Sequence, residues 1–176
     1  MLRKTLAMAA ASLALAVTSF TGQAVAQTRD VKICLIAGRT GPLEAYAKQT
    51  EVGFMMGLEY LTRGTNTVAG MRLQVIVKDD QLRPDRGKAL LEECYNDDGA
   101  ALAVGTTGSP VALAMLPVAE EARKILIVEP AVADSITGPR WNRYVFRTGR
   151  SSYQDALAAA ASIPENEDVS IGMMGL

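Results

Sequence analysis

The sequence predicts an α/β sandwich, a parallel sheet with helices packed on both faces. Short apolar runs alternate with stretches of helical spacing from Val31 onward. The connections between them are short, which calls for right-handed crossovers within one sheet. Several runs are apolar at every position rather than at every second one, as in strands buried on both faces.

Val31 to Ala37 reads VKICLIA and suits a central strand. Leu43 to Leu61 reads as a helix, with Val52, Met55, Met56 and Leu58 at helical spacing. Gly64 and Gly70 bound a loop. From Met71 to Lys78, Arg72 and Gln74 alternate with Leu73 and Val75, the half-polar pattern of an edge strand. Pro84 and Asp85 open a second helix, with the aspartate placed to cap; it runs to about Asn96 and stops at Asp98-Gly99.

Ala101 to Val104 is a short buried strand. Ser109 and Pro110 start a third helix, serine at the cap and proline at the first helical position. Ile125 to Val128 and Tyr144 to Arg147 are further strands, followed by a helix from Ser152 to Ile163 and a strand from Val169 to Met174. With the half-polar second strand at the edge, the sheet order begins 2-1-3-4. Direction then reverses between the first and third strands, where open α/β sheets leave a crevice at the carboxyl ends. Gly38 to Pro42, Gly105 to Ser109 and Glu129 to Ser135 face that crevice.

The first residues stand apart from this pattern. Arg3 and Lys4 precede an apolar run from Leu6 to Val17, and Ala24-Val25-Ala26 offers a small-x-small cleavage site. That is the order of a secretory signal peptide, and the run is short for a membrane span. Cleavage after Ala26 removes two of the 18 basic residues and none of the 19 acidic ones, leaving a net charge of −3. A soluble, exported chain is expected, with no membrane insertion after cleavage. Nothing in its charge attracts nucleic acid or an anionic membrane.

Histidine is absent, which excludes imidazole-ligated zinc and Ser-His or Cys-His nucleophile pairs. Two cysteines in an exported chain raise the question of a bridge. Cys34 falls in the first strand and Cys94 late in the second helix beside Leu90 and Leu91. Both positions look like core, so buried free thiols are expected.

The crevice is the candidate site. The stretch GRTGPLEA is a poor dinucleotide turn: it has G-x-x-G where the fingerprint wants G-x-G-x-x-G, and no Gly-Lys-Ser/Thr follows to make a P-loop. An exported oxidoreductase is therefore a remote alternative, and no cofactor or metal is expected. The corner Gly105-Thr106-Thr107-Gly108-Ser109-Pro110 suits a small carboxylate better, because a helix N-terminus and neutral hydroxyls meet there. A cap satisfying only its own helix is the bland alternative. Asp79 and Asp80 are adjacent on a strand and point to opposite faces, so they do not form one catalytic pair. Arg140, Arg143, Arg147 and Arg150, among Trp141, Tyr144 and Phe146, read as a solvated loop leading into a hinge strand rather than an anion-steering patch.

The serial order VKICLIAGRTGPLEAYA, GMRLQVIVKDDQLRPDRGKALLEEC, AVGTTGSPVALAMLPVAEEARKILIVEPAVADSITG and YVFRTGRSSYQDA resembles the leucine/isoleucine/valine-type periplasmic binding proteins, the solute receptors of ABC transporters. The similarity runs from Val31 to Ser162. It implies the Rossmann-like lobe of the type I periplasmic binding fold, in a two-lobed clamp that closes on a small carboxylate and works with a membrane permease in the periplasm. No chemistry is implied, so the chain is not expected to be an enzyme; a ligand-sensing receptor or regulator of the same fold is the alternative.

The resemblance also assigns residues. Tyr46 falls where an aromatic side chain meets the ligand. Ser109 falls on the carboxylate-binding hydroxyl, with the Gly108 N–H beside it. Ala131 matches a carbonyl that receives an ammonium group. Ala133 stands where amino-acid binders have threonine, which opens the ligand class to aromatic or aliphatic acids without the amine. Gly87 replaces a small alanine, with only a local stability cost expected.

After the signal peptide (1–26), the same resemblance divides the chain into a ligand-binding lobe (27–150) and a hinge crossing with the start of a second lobe (151–176). A fragment of a longer binding protein, with weak autonomous binding, is the expectation.

Overall fold

The computed structural model describes residues 29–163 together with Ser170 and Gly172. The signal segment and, apart from those two residues, the strand expected from Val169 to Met174 lie outside the described residues. The strands are β1 (Arg29–Ala37), β2 (Thr67–Val68), β3 (Met71–Asp79), β4 (Leu102–Gly105), β5 (Ile125–Val128) and β6 (Val145–Arg147). Between them lie helices α1 (Glu44–Thr62), α2 (Pro84–Asn96) and α3 (Ser109–Ala122), a short 3-10 turn at Asp134–Ile136, and finally α4 (Ser152–Ala161).

These strands form one sheet in the order β2-β3-β1-β4-β5-β6. All neighbours are parallel except β2 and β3. The predicted α/β class and the order of the parallel strands are what the chain adopts. The edge differs: β2 pairs its two residues with Met71 and Arg72, so β3 is not the last strand. Two residues cover only the start of β3, which explains the half-polar pattern there. Arg72 grips the Asp30 carboxylate on β1 with two bonds of 3.0 and 2.9 Å, and Gln74 adds a third at 2.7 Å.

Alternation along β1 divides the core. Cys34 and Ile36 face α2 and α3, in a layer with Leu91, Met115, Leu116 and Leu126. Ile33 and Leu35 face the other way, with Val104 and the α1 residue Phe54. Among the described residues, that second face is thinly covered. Ile125 and Phe146, which lie on it beyond α1, are 40% and 52% exposed, and Val52, Met56 and Tyr60 of α1 are also exposed.

Two sequence-based expectations are overturned in the α2 layer. Cys34 and Cys94 are fully buried as predicted, but they are joined in a disulfide with Cα atoms 6.1 Å apart. Helical α2 packed on β1 brings the two Cβ atoms within bridging range, a relation that burial pattern alone does not reveal. Gly87 is more than a local weakness: a Cβ there would overlap Cγ1 of Val111 on α3. The missing side chain lets α2 and α3 approach closely.

The capping residues are also shifted. Arg83 caps α2 with Pro84 following it, and Asp85 pairs with the Arg83 guanidinium at 2.6 Å instead of capping. Gly108, in an extended conformation, caps α3, and Ser109 is the first helical residue. At α4, by contrast, Ser151 accepts from Gln154 N while the Gln154 side chain accepts from Ser151 N, a reciprocal cap.

Candidate functional site

The carboxyl ends of β1, β3, β4 and β5 lie side by side, and the corners that follow them are knitted together. Gly38 N–H donates to the Thr107 hydroxyl at 3.1 Å, joining the corner after β1 to the corner after β4. Asp80, fully buried after β3, accepts from Leu82 N–H at 2.8 Å and from the Thr106 hydroxyl. Ala131 N–H donates to the Thr106 carbonyl at 3.2 Å, which ties in the corner after β5. Gly105 makes this crowding possible. Its φ of +145° and the overlap any Cβ would have with the Ile36 carbonyl leave no room for a side chain.

Of the hydroxyls predicted as free donors, Thr106 is committed, donating to Asp80. Thr107, buried at 7% exposure, accepts from Gly38 N–H and uses that bond to join the two corners. Ser109 is less enclosed. Its Oγ accepts from Ala133 N–H at 3.1 Å, so its own proton stays free to be donated onward. A hydroxyl held this way, in the first turn of a 14-residue helix, is suited to a carboxylate oxygen.

Of the five residues assigned by resemblance, Ser109 and Ala133 touch directly, with Gly108 adjacent. Ala131 is buried, at 2% exposure, within the same corner network. The Ala133 carbonyl accepts from Arg147 Nη1 at 2.9 Å, so this arginine, at the end of the hinge strand, braces the backbone of that corner. Arg150 does reach solvent and pairs with Asp155 at 2.6 Å.

Tyr46 sits elsewhere along the same edge. It is 57% exposed and lines an open cavity of about 560 Å³ with Phe54, Ile127, Glu129, Thr148 and Arg150. The other four assigned residues do not line that cavity. Glu129 is bonded by the Thr148 hydroxyl across the cavity's rim. Neither Glu129 nor Thr148 carries a role in the sequence pattern, although Glu-Pro at a strand end followed later by Arg-Thr-Gly is a signal for this corner.

Asp79 and Asp80 point apart, as alternation predicts, and titrate in opposite directions. Burial raises the Asp80 carboxyl above the usual aspartate range, against bonds from Thr106 and Leu82 that pull it down. Burial also pushes Asp79 up, but the Gln81 N–H, the Thr40 hydroxyl and the Arg39 N–H outweigh it and hold Asp79 low. Among the described residues, Cys34, Cys94 and Asp98 are grouped closely enough to suggest metal ligands. Both sulfurs are spent in the disulfide.

Residues 30–175 match the family model described as periplasmic binding protein. The Leu/Ile/Val-binding protein of Rhizobium johnstonii is 26% identical over 145 residues, covering 82% of this chain and 39% of that protein. A solved ABC-type branched-chain amino acid transporter protein of Rhodopseudomonas palustris CGA009 is 68% identical, with a TM-score of 0.71, covering 73% of this chain and 34% of its own.

A solute-binding protein of an ABC transporter from Rhodopseudomonas palustris BisB5, solved with 3,4-dihydroxybenzoic acid, is 34% identical with a TM-score of 0.61. That match covers 69% of this chain and 32% of the other. The chain thus spans only about a third of the solved structures it matches. The parallel-sheet lobe, its knitted carboxyl edge and the match over nearly all the described residues agree: the chain belongs to the periplasmic binding protein family.

Proposed function

We propose that this chain supplies the first ligand-binding lobe of an extracytoplasmic receptor for an ABC importer of amino acids or related small carboxylates. Residues 27–150 form the lobe, residues 1–26 a signal peptide directing it to the periplasm, and residues 151–176 the crossing toward a second lobe. Ligand is held by closure of two lobes, without chemistry, and is passed to a membrane permease.

One observation carries this reading. The Ser109 hydroxyl accepts from Ala133 N–H at a helix N-terminus, which leaves its own proton free to donate to a ligand. Gly108 N–H joins it at the ligand carboxylate, the Ala131 carbonyl awaits an ammonium or hydroxyl donor, and Tyr46 covers the ligand body. At Ala133 no side-chain hydroxyl is available for an amino group. Both branched-chain and aromatic acids therefore belong in the ligand class, as the dihydroxybenzoate bound by the BisB5 relative also suggests.

Titrating the leader-free chain with L-isoleucine, 4-hydroxybenzoate and 3,4-dihydroxybenzoate tests the reading. One lobe offers about half the contacts of a closed clamp, so a millimolar dissociation constant, about −4 kcal/mol, is expected in place of a micromolar one. Ser109→Ala should weaken binding about tenfold. Saturable binding that is indifferent to Ser109 would overturn the site. Micromolar binding by this chain would overturn the weak-lobe expectation.

A further inference from the structure

Leu82 stands out in the corner after β3. It and Gln81 are consecutive non-glycine residues in the left-handed region, with φ of 57° and 54°. Such a pair is costly for ordinary side chains and persists only where surrounding structure enforces it. Two carboxylates enforce it: Asp79 accepts from Gln81 N–H at 3.0 Å, and the buried Asp80 accepts from Leu82 N–H at 2.8 Å and from the Thr106 hydroxyl.

This arrangement aims the Leu82 isobutyl group across the crevice. It fills the place of a side chain at Gly38, and it lies 3.6 Å from the position of a Cβ at Gly41 and 3.4 Å from that at Gly108. Three glycines from two different corners thus leave room for one leucine. Ser109, the proposed carboxylate donor, follows Gly108 directly.

Building on the proposed function, we propose that Leu82 is a specificity-determining residue. Its half-buried isobutyl group is the apolar wall between the Gly38–Pro42 and Gly105–Ser109 corners. Asp80 is its positioning residue. The wall sets how much ligand body fits beside the carboxylate held at Ser109. Apolar pockets discriminate by about ten- to two-hundredfold per methylene-sized change, so removing three carbons here should alter preference measurably.

The test is methyl-resolved NMR titration of the leader-free chain with L-isoleucine and with 4-hydroxybenzoate, in unsubstituted, Leu82→Ala and Leu82→Met forms. Leu82 methyl signals should move on titration of the unsubstituted chain. Leu82→Ala should shift the ratio of the two dissociation constants about tenfold toward the aromatic acid, and Leu82→Met should restore the ratio to within about twofold.

Methyl signals unmoved at saturation would overturn the inference while leaving the binding function standing; so would an unchanged ratio in Leu82→Ala. Should Leu82→Ala fail to fold, the methyl shifts and the Leu82→Met ratio decide alone. Absence of binding by either acid to the unsubstituted chain would overturn both this inference and the function it rests on.

Discussion

Cys34, in the centre of the sheet, is bonded to Cys94 on α2, 60 residues further along the chain. The bridge fastens the first strand to the first helix of the layer that carries most of the core. Closing a loop of that length restricts the unfolded chain by about 4 kcal/mol on a chain-entropy account. Cys94→Ala should therefore lower unfolding free energy by about 2–4 kcal/mol, measured in urea without reductant. A loss below about 1 kcal/mol would show that the bridge adds little to what burial already provides.

Gly87 gives a second prediction, with opposing local and tertiary effects. Alanine at a helix interior gains about 1 kcal/mol of propensity over glycine. The added methyl collides with Val111, and overpacking of this kind costs about 1–3 kcal/mol. Gly87→Ala should be net destabilising, and Gly87→Ala with Val111→Ala should recover most of the loss. Thermal melts of the two variants distinguish this from a simple propensity effect, which predicts stabilisation by the single change.

At the corner between β4 and α3, Gly105→Ala should prevent folding outright. The substituent would overlap the Ile36 carbonyl, a backbone atom that cannot swing aside, at a φ that alanine avoids. Loss of the cooperative melting transition is the expected readout.

The two adjacent aspartates make a pH prediction. Burial raises Asp80, so its favourable contribution is fully present below the ordinary aspartate pKa and is lost as pH rises through the raised value. Asp79 is held low, so its contribution is present above the ordinary pKa and is lost as pH falls. Between the ordinary aspartate pKa and neutrality, Asp80→Asn should remove a decline in stability with rising pH, while Asp79→Asn should leave that decline in place. Urea midpoints across that range check both signs.

The architecture was readable because period-2 and period-3.6 patterns report burial directly. Every parallel strand and all four described α-helices lie where those patterns predict. The misses share one cause: they depend on which residues meet across elements. Cys34 and Cys94 were placed in the core correctly, yet whether their sulfurs bond is set by the helix-to-strand approach. Ser109 reads locally as a cap. In the fold it lies one residue too far along, and its hydroxyl turns to Ala133, 24 residues away. Leu82 carried no sequence signal, because a leucine in a loop does not announce a left-handed backbone or the three glycines around it.

The thin covering over Ile125 and Phe146 bears on how the chain behaves in a tube. Parallel sheets normally have helices over both sides, and apolar side chains left exposed on such a face among the described residues favour self-association. Preparations of the lobe should grow in apparent mass as they are concentrated, and a trace of mild detergent should reverse the growth. Ligand titrations with this chain therefore belong at low protein concentration, where colloidal stickiness does not masquerade as saturation.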